Sequence, residues 1–170
     1  MKILVLGSSG QLGSTVSKYL TEEGIEVLPW DIKRTMDEDL RVYNPDLLDA
    51  MNESDFVYYF ASDVGGAKYL EKHQYTHRFI RDNMAIMINT FDALKKTNKP
   101  FLYTSSQMAT LLNSSYGQMK FLGEKMTSDI GGLTVRLWNI YGVEPNSEKS
   151  HVITDFIKMA KTERLIKVRT

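Results

Sequence analysis

The chain opens on an apolar run, Ile3–Leu6, that passes directly into Gly7-Ser-Ser-Gly10-Gln-Leu-Gly13 and then into helical spacing at Leu12, Val16, Tyr19 and Leu20. An apolar run of this length reads as a strand-length core segment. Glycines at the joint permit a tight turn and a close approach of helix to strand. Strand, glycine turn and helix in that order commit the N-terminus to the first unit of an α/β fold.

The alternation continues along the chain. Ile25–Trp30 reads as a second strand ending at Asp31, and Phe56–Phe60 as a third, buried on both faces because it does not alternate. A long helix is predicted from about Thr76 to Thr97, with Ile80, Met84, Met87, Ile88, Phe91 and Leu94 on one face. Pro100 lies just beyond it, and Phe101–Thr104 makes the next strand. Ser114 is placed to cap a helix through about Ser128, which Gly131-Gly132 ends. Leu133–Trp138 reads as another strand, and a helix over about Val152–Lys161 precedes a short apolar run, Leu165–Val168. The polar stretch Lys33–Arg41 reads as a surface loop. This order predicts a Rossmann-like, doubly wound parallel sheet with helices on both faces, in one domain.

Composition matters for what it excludes. The chain has 170 residues, 42% hydrophobic and 25% charged, enough for one globular domain. Formal net charge is zero and no basic run appears, so neither nucleic acid nor a membrane surface is an expected partner. There is no cysteine, which removes disulfides, thiolate metal sites and a cysteine nucleophile and fits a cytoplasmic protein. No metal is expected either: His73 and His77 form an i,i+4 pair without the glutamate of a zinc-protease pattern.

The glycine turn carries chemistry as well as geometry. Backbone amides of Gly7, Ser9, Gly10, Gln11, Leu12 and Gly13, together with the positive end of the following helix, suit a pyrophosphate. Asp31 closes the second strand 18 residues after Gly13, near the spacing of about 20 expected of a carboxylate that binds ribose hydroxyls. Turn and acid together predict dinucleotide binding. A carboxylate there repels a 2′-phosphate and favours NAD, while Lys33 and Arg34 just beyond it keep NADP open.

Tyr116-Gly-Gln-Met-Lys120 sets a phenol and an ammonium one turn apart on a helix face. A free phenol, with a pKa of about 10, is too weak a base near neutrality; a nearby lysine and a positive nicotinamide ring would lower it. Tyr116 could then move a proton at a hydroxyl while hydride is transferred. The spacing alone is not specific, because 9 tyrosines give on the order of one such pair by chance. What raises it is Ser106, just past the strand Phe101–Thr104, where a hydroxyl can hydrogen-bond the reacting oxygen. Ser105 is its immediate rival.

Taken together these residues resemble the extended short-chain dehydrogenase/reductase family, the NAD-dependent epimerase/dehydratase group. The resemblance runs over nearly the whole chain, through Gly7-x-x-Gly10-x-x-Gly13, Asp39-Leu40-Arg41, Phe60-Ala61-Ser62, Asn83, Thr104-Ser105-Ser106, Tyr116-x-x-x-Lys120 and Arg136-Leu-Trp-Asn139-Ile-Tyr-Gly142. It implies that Ser106, Tyr116 and Lys120 are catalytic, that Asp39 and Leu40 reach the adenine, and that Ala61 and Ser62 lie against the cofactor with Tyr116 and Lys120. Asn139 and Gly65 would meet a nucleotide-sugar substrate, GDP- or UDP-linked. Asn83 would brace the active site, or else be a buried polar group satisfied by backbone. Asp63-Val64-Gly65-Gly66 and Ser150-His151-Val152-Ile153 look like the GDP-sugar branch, in which His151 matches a general acid; its plain alternative is an exposed histidine at a helix start. That branch's epimerases use a cysteine two residues after the serine, where this chain has Met108, and Gln107-Met108 offers no acidic pair for a dehydratase. Epimerase or reductase chemistry is therefore favoured. The resemblance further implies a homodimer through helices 76–97 and 114–128. It implies too that residues 142–170 begin a substrate-binding part whose sugar lobe is mostly missing here. A non-catalytic dinucleotide-binding module, or a fragment that needs a partner chain, is the alternative.

Overall fold

A computed structural model describes residues 1–111, 113–142, 148–166 and 168. The first apolar run forms β1 (Lys2–Leu6), in which Leu4, Val5 and Leu6 are fully buried. The other strands are β2 (Glu26–Trp30), β3 (Phe56–Tyr59), β4 (Phe101–Ser106) and β5 (Leu133–Leu137). All pair in parallel, in the order β2-β1-β3-β4-β5. Because the chain leaves β1 for β2 on one side and returns to β3 on the other, the order reverses between β1 and β3. A crevice opens outside the carboxyl ends of the strands at such a point, and ligands of open α/β sheets bind there.

Helix α1 (Gln11–Glu22) covers one face, where Leu20 packs with Ile3 and Val5. On the other face lie α2 (Pro45–Glu53), α4 (His77–Thr97) and α5 (Ser115–Asp129). There Met51, Phe91 and Leu94 meet Leu4, Leu6, Val57 and Tyr103 in the main core. Burying such side chains is worth roughly 1.5–3 kcal/mol each and holds both layers to the sheet. Two further helices, α3 (Ala67–His73) and α6 (Val152–Thr162), are joined by an ion pair between Lys68 and Asp155.

Helix limits follow local chemistry. Thr76 caps α4 by accepting from the Phe79 amide, and Asn98 ends it in the left-handed region at φ 51°. Ser114 caps α5 by accepting from the Gly117 amide at 3.1 Å.

Several expectations need correction. β3 is not buried on both faces: Val57 and Tyr59 are buried, while Phe56 and Tyr58 are half-buried under α1. The stripe on α4 divides, with Met87, Phe91 and Leu94 buried but Met84 and Ile88 exposed. Lys33–Arg41 is not simply a surface loop, because it holds a 3-10 turn at Met36–Glu38 and sends Leu40 into the core. Helices α2 and α3 went unread from sequence. In the terminal apolar run Leu165, Ile166 and Val168 are exposed, and Lys167 lies outside the described residues.

Candidate active site

The glycine turn sits at the β1/β3 crevice. Gly7 adopts φ +84°, and a Cβ on it would lie 2.7 Å from the Ala61 amide nitrogen at the end of β3. A Cβ on Gly13 would lie 2.1 Å from the Gly7 carbonyl oxygen, so α1 can approach the strand only as glycine. Gly10 is the N-cap of α1 and supplies no side-chain cap, and no acidic residue occupies the first turn. The first amides of the helix, from Gln11 to Gly13, are therefore left for an external acceptor. Asp31 is drawn to this turn: its carboxylate accepts from the Ser9 amide at 2.9 Å and from the Lys33 amide at 2.8 Å. Two buried polar atoms, Ser8 Oγ and Gln11 Nε2, have no hydrogen-bond partner among the described residues. Open amides, a cradle that a Cβ would fill and unpartnered polar atoms fit the pyrophosphate and ribose of a dinucleotide.

The Asp39-Leu40 pair divides its work. Leu40 is buried in the core, and its carbonyl accepts from Asn89 Nδ2 at 2.9 Å. The Asp39 carboxylate is gripped by Arg41, with Nη2 to Oδ2 at 2.8 Å, and this guanidinium holds the carboxyl below its ordinary value.

Beyond Ala61 the chain reaches the second half of the site. Tyr116 and Lys120 stand one turn apart on α5, in a cleft also lined by Ala61, Ser62 and Asn83. Lys120 is buried and donates to the Thr104 carbonyl at 2.7 Å, with its Nζ 5.7 Å from the Tyr116 ring centroid. Burial pulls its pKa down to about 8. Burial likewise pushes the Tyr116 phenol up to about 12, against the opposing hydrogen bond with Ser106. The lowering expected of lysine together with a positive nicotinamide ring belongs to a site with the cofactor bound. In the chain alone desolvation dominates, because ionising a phenol out of water costs more than a neighbouring cation at this distance returns.

The two serines separate by occupation. Ser105 is buried and donates to Glu124 at 2.6 Å, where the carboxylate also holds Arg136. Ser106 remains with Tyr116, its Oγ hydrogen-bonded to the phenol and also accepting from the Met108 amide at 3.2 Å. Asn83 takes the second of its two readings, a buried polar group satisfied by backbone. Its Oδ1 accepts from the Asp63 amide at 2.9 Å and its Nδ2 donates to the Asp63 and Phe79 carbonyls at 3.0 Å. Backbone satisfies it fully, and in doing so it pins the loop that follows β3.

Residues 3–170 match the sequence profile of the NAD dependent epimerase/dehydratase family. The chain belongs to this family. A UDP-glucose 4-epimerase of Lactobacillus helveticus is 25% identical over 201 residues, taking in 94% of this chain and 60% of the relative. Among solved structures, dTDP-4-dehydrorhamnose reductase of Yersinia enterocolitica superposes with a TM-score of 0.73 at 21% identity, over 94% of this chain and 60% of that one. UDP-glucose 4-epimerase of Thermus thermophilus, solved with NAD, gives 0.70 at 19% identity, over 92% and 61%. At these identities the superpositions speak to the fold. The chain spans about 60% of the length of the relatives it matches.

Other residues expected at a site in this family lie outside the cleft. Gly65 is buried between Tyr69 and Lys149. Asn139 is exposed beyond β5. His151 is the N-cap residue of α6 but makes no side-chain cap, and it sits beside Gly66. Neither they nor their neighbours contribute to the lining of the Tyr116–Lys120 cleft. In their place is a polar joint that sequence reasoning missed. Asp63 accepts from the Tyr69 hydroxyl at 2.7 Å and from Lys149 Nζ at 2.6 Å, and so ties the loop after β3 to the approach to α6. Nothing in the spacing of residues 63 and 149 signals that pairing. Among the described residues no group of three His, Asp or Glu is placed to hold a metal, and no helix is long and apolar enough to cross a membrane.

Proposed function

We propose that this chain is the NAD-binding, catalytic part of a nucleotide-sugar epimerase or reductase that works by hydride transfer at a sugar carbon. The observation that carries the reading is the gathering of Ser106, Tyr116 and buried Lys120 beside the crevice that opens at the glycine turn. NAD, when bound, supplies the hydride acceptor, and Asp31 at the turn favours it over NADP. Gly7–Gly13 would hold its pyrophosphate, Asp39 and Leu40 would face the adenine, and Ala61 and Ser62 would lie along it.

The chain's own groups then handle the proton. Tyr116 Oη takes the proton of the sugar hydroxyl being oxidised and returns it in the reverse step. Lys120, held by the Thr104 carbonyl, lowers the cost of the phenolate. Ser106 hydrogen-bonds the reacting oxygen and fixes its position. UDP-linked sugars head the substrate class, because the relatives named above include UDP-glucose 4-epimerases; GDP-linked sugars are the second candidate. Gly65, Asn139 and His151 would serve a substrate whose lobe begins in residues 142–170. A homodimer would form through α4 and α5, where Met84, Ile88, Phe121 and Leu122 are exposed. The absence of cysteine suits a cytoplasmic setting.

The test is Tyr116→Phe. Reduction of NAD by a nucleotide-sugar should be lost while NAD binding persists; undiminished turnover removes the mechanism. A second reading, a non-catalytic dinucleotide-binding module, is favoured by the exposure of Trp138, Asn139 and Tyr141, which leaves the expected sugar contacts ungathered. Calorimetry separates the two, since NAD binding without binding of any nucleotide-sugar supports the module.

A further inference from the structure

The 3-10 turn Met36–Glu38 brings a second carboxylate to Asp31. Glu38 is almost buried, its side chain 14% exposed. Its Oε2 accepts from the Asp31 amide at 2.6 Å, and its Oε1 accepts from Arg34 Nη1 at 2.9 Å. The same Nη1 donates to the Pro29 carbonyl, back along β2. The Glu38 carbonyl accepts from the Trp30 indole at 3.0 Å, which fixes the turn against the strand end. One carboxylate thus anchors the backbone of the ribose-side acid and immobilises the guanidinium nearest to it. Lys33, the cation directly before Arg34, meets Asp31 through its backbone amide.

A 2′-phosphate at this place would need a guanidinium facing it, since arginine matches phosphate with paired donors. Arg34 is three residues past Asp31, its amide bonded to the Asp31 carbonyl at 2.9 Å, yet its Nη1 is turned to Glu38 and Pro29. We propose that Glu38 sets the preference of this site for NAD over NADP by holding Arg34 away from the position a 2′-phosphate would take. The role of Asp31 is to accept ribose hydroxyls. That of Glu38 is to keep the competing cation occupied and to add a second negative charge behind the acid.

This inference rests on the dinucleotide reading, and binding alone tests it. NAD and NADP are titrated calorimetrically into the wild-type chain, E38Q, R34A and the E38Q/R34A double variant. Glutamine can still accept from the Asp31 amide but cannot hold a cation. In E38Q the affinity for NADP relative to NAD should rise about tenfold or more, the size of one charge-assisted contact released to the ligand. The double variant should lose that gain. R34A alone should leave both affinities within about twofold, because the guanidinium is already withdrawn from the ligand. An unchanged ratio in E38Q, or a gain that survives without Arg34, overturns the assignment. So does a marked loss of NADP or NAD affinity in R34A, a result that does not depend on E38Q folding. If the wild-type chain binds neither dinucleotide, the dinucleotide reading itself fails and the role of Glu38 falls with it.

Discussion

Replacing Lys120 by methionine should flatten the rise in stability that this chain gains as pH is raised through the range of Lys120. The lysine is buried, with its ammonium against the Thr104 carbonyl. Its pKa falls from an ordinary 10.5 to about 8, and the cause is burial. Below the folded value both states are protonated, and the folded chain carries the full penalty of a buried charge, about 3 kcal/mol. As pH rises from about 8 towards 10.5 the folded chain releases its proton first and the penalty is relieved. Between pH 7 and 9.5 this one group should add about 2 kcal/mol of stability. At neutral pH alone the substitution is uninformative, since removing the charge gains about 3 kcal/mol while an orphaned Thr104 carbonyl costs about 1–3 kcal/mol. Urea unfolding of both chains at the two pH values isolates the difference, because the other titrations are shared. Equal pH dependence in wild type and K120M would refute the claim that Lys120 is folded into the site as a strained cation.

The two serines should part in function: Ser106→Ala should lower turnover on the order of 100-fold, as for loss of one donor to the reacting oxygen. Ser105→Ala should leave turnover near wild type and weaken stability instead, by removing the buried hydrogen bond to Glu124; steady-state kinetics on both variants checks the assignment. Asn83→Ala should destabilise the chain by about 2–4 kcal/mol, because it strands backbone groups of Asp63 and Phe79. It should also speed amide exchange at Asp63, and unchanged exchange there would mean that the loop after β3 is held by other contacts.

Much of this was readable in the sequence for identifiable reasons. Strands β1 and β4 and helix α4 announce themselves because buried parallel strands and long amphipathic helices leave apolar patterns. The glycine turn is legible because Gly7 and Gly13 are required by backbone approach, which no other residue type satisfies. Helix α2 was missed although Asn44 caps it and Pro45 opens it, because its run of nine residues carries only two buried side chains, Leu47 and Met51. Position alone favoured Ser106 over its rival Ser105, but the physical separation of the two is not visible in adjacent identical residues. It depends on which one meets Glu124, nineteen residues away. The joint of Asp63, Tyr69 and Lys149, and the grip of Glu38 on Arg34 and the Asp31 amide, are tertiary pairings whose partners carry no shared pattern. The upward pull of burial on the Tyr116 phenol was also hidden, because residue type names the neighbouring cation but not the water removed around the phenol.

The central claim is that one crevice joins the glycine turn to Tyr116 and Lys120 and is filled by NAD. A crystal structure of the chain grown with NAD tests it most directly. The expected result is the pyrophosphate on the amides from Gln11 to Gly13, the adenosine ribose on Asp31, and the nicotinamide beside Tyr116 with Ala61 and Ser62 along its length. NAD bound elsewhere, or with its nicotinamide turned away from the Tyr116–Lys120 cleft, would contradict it.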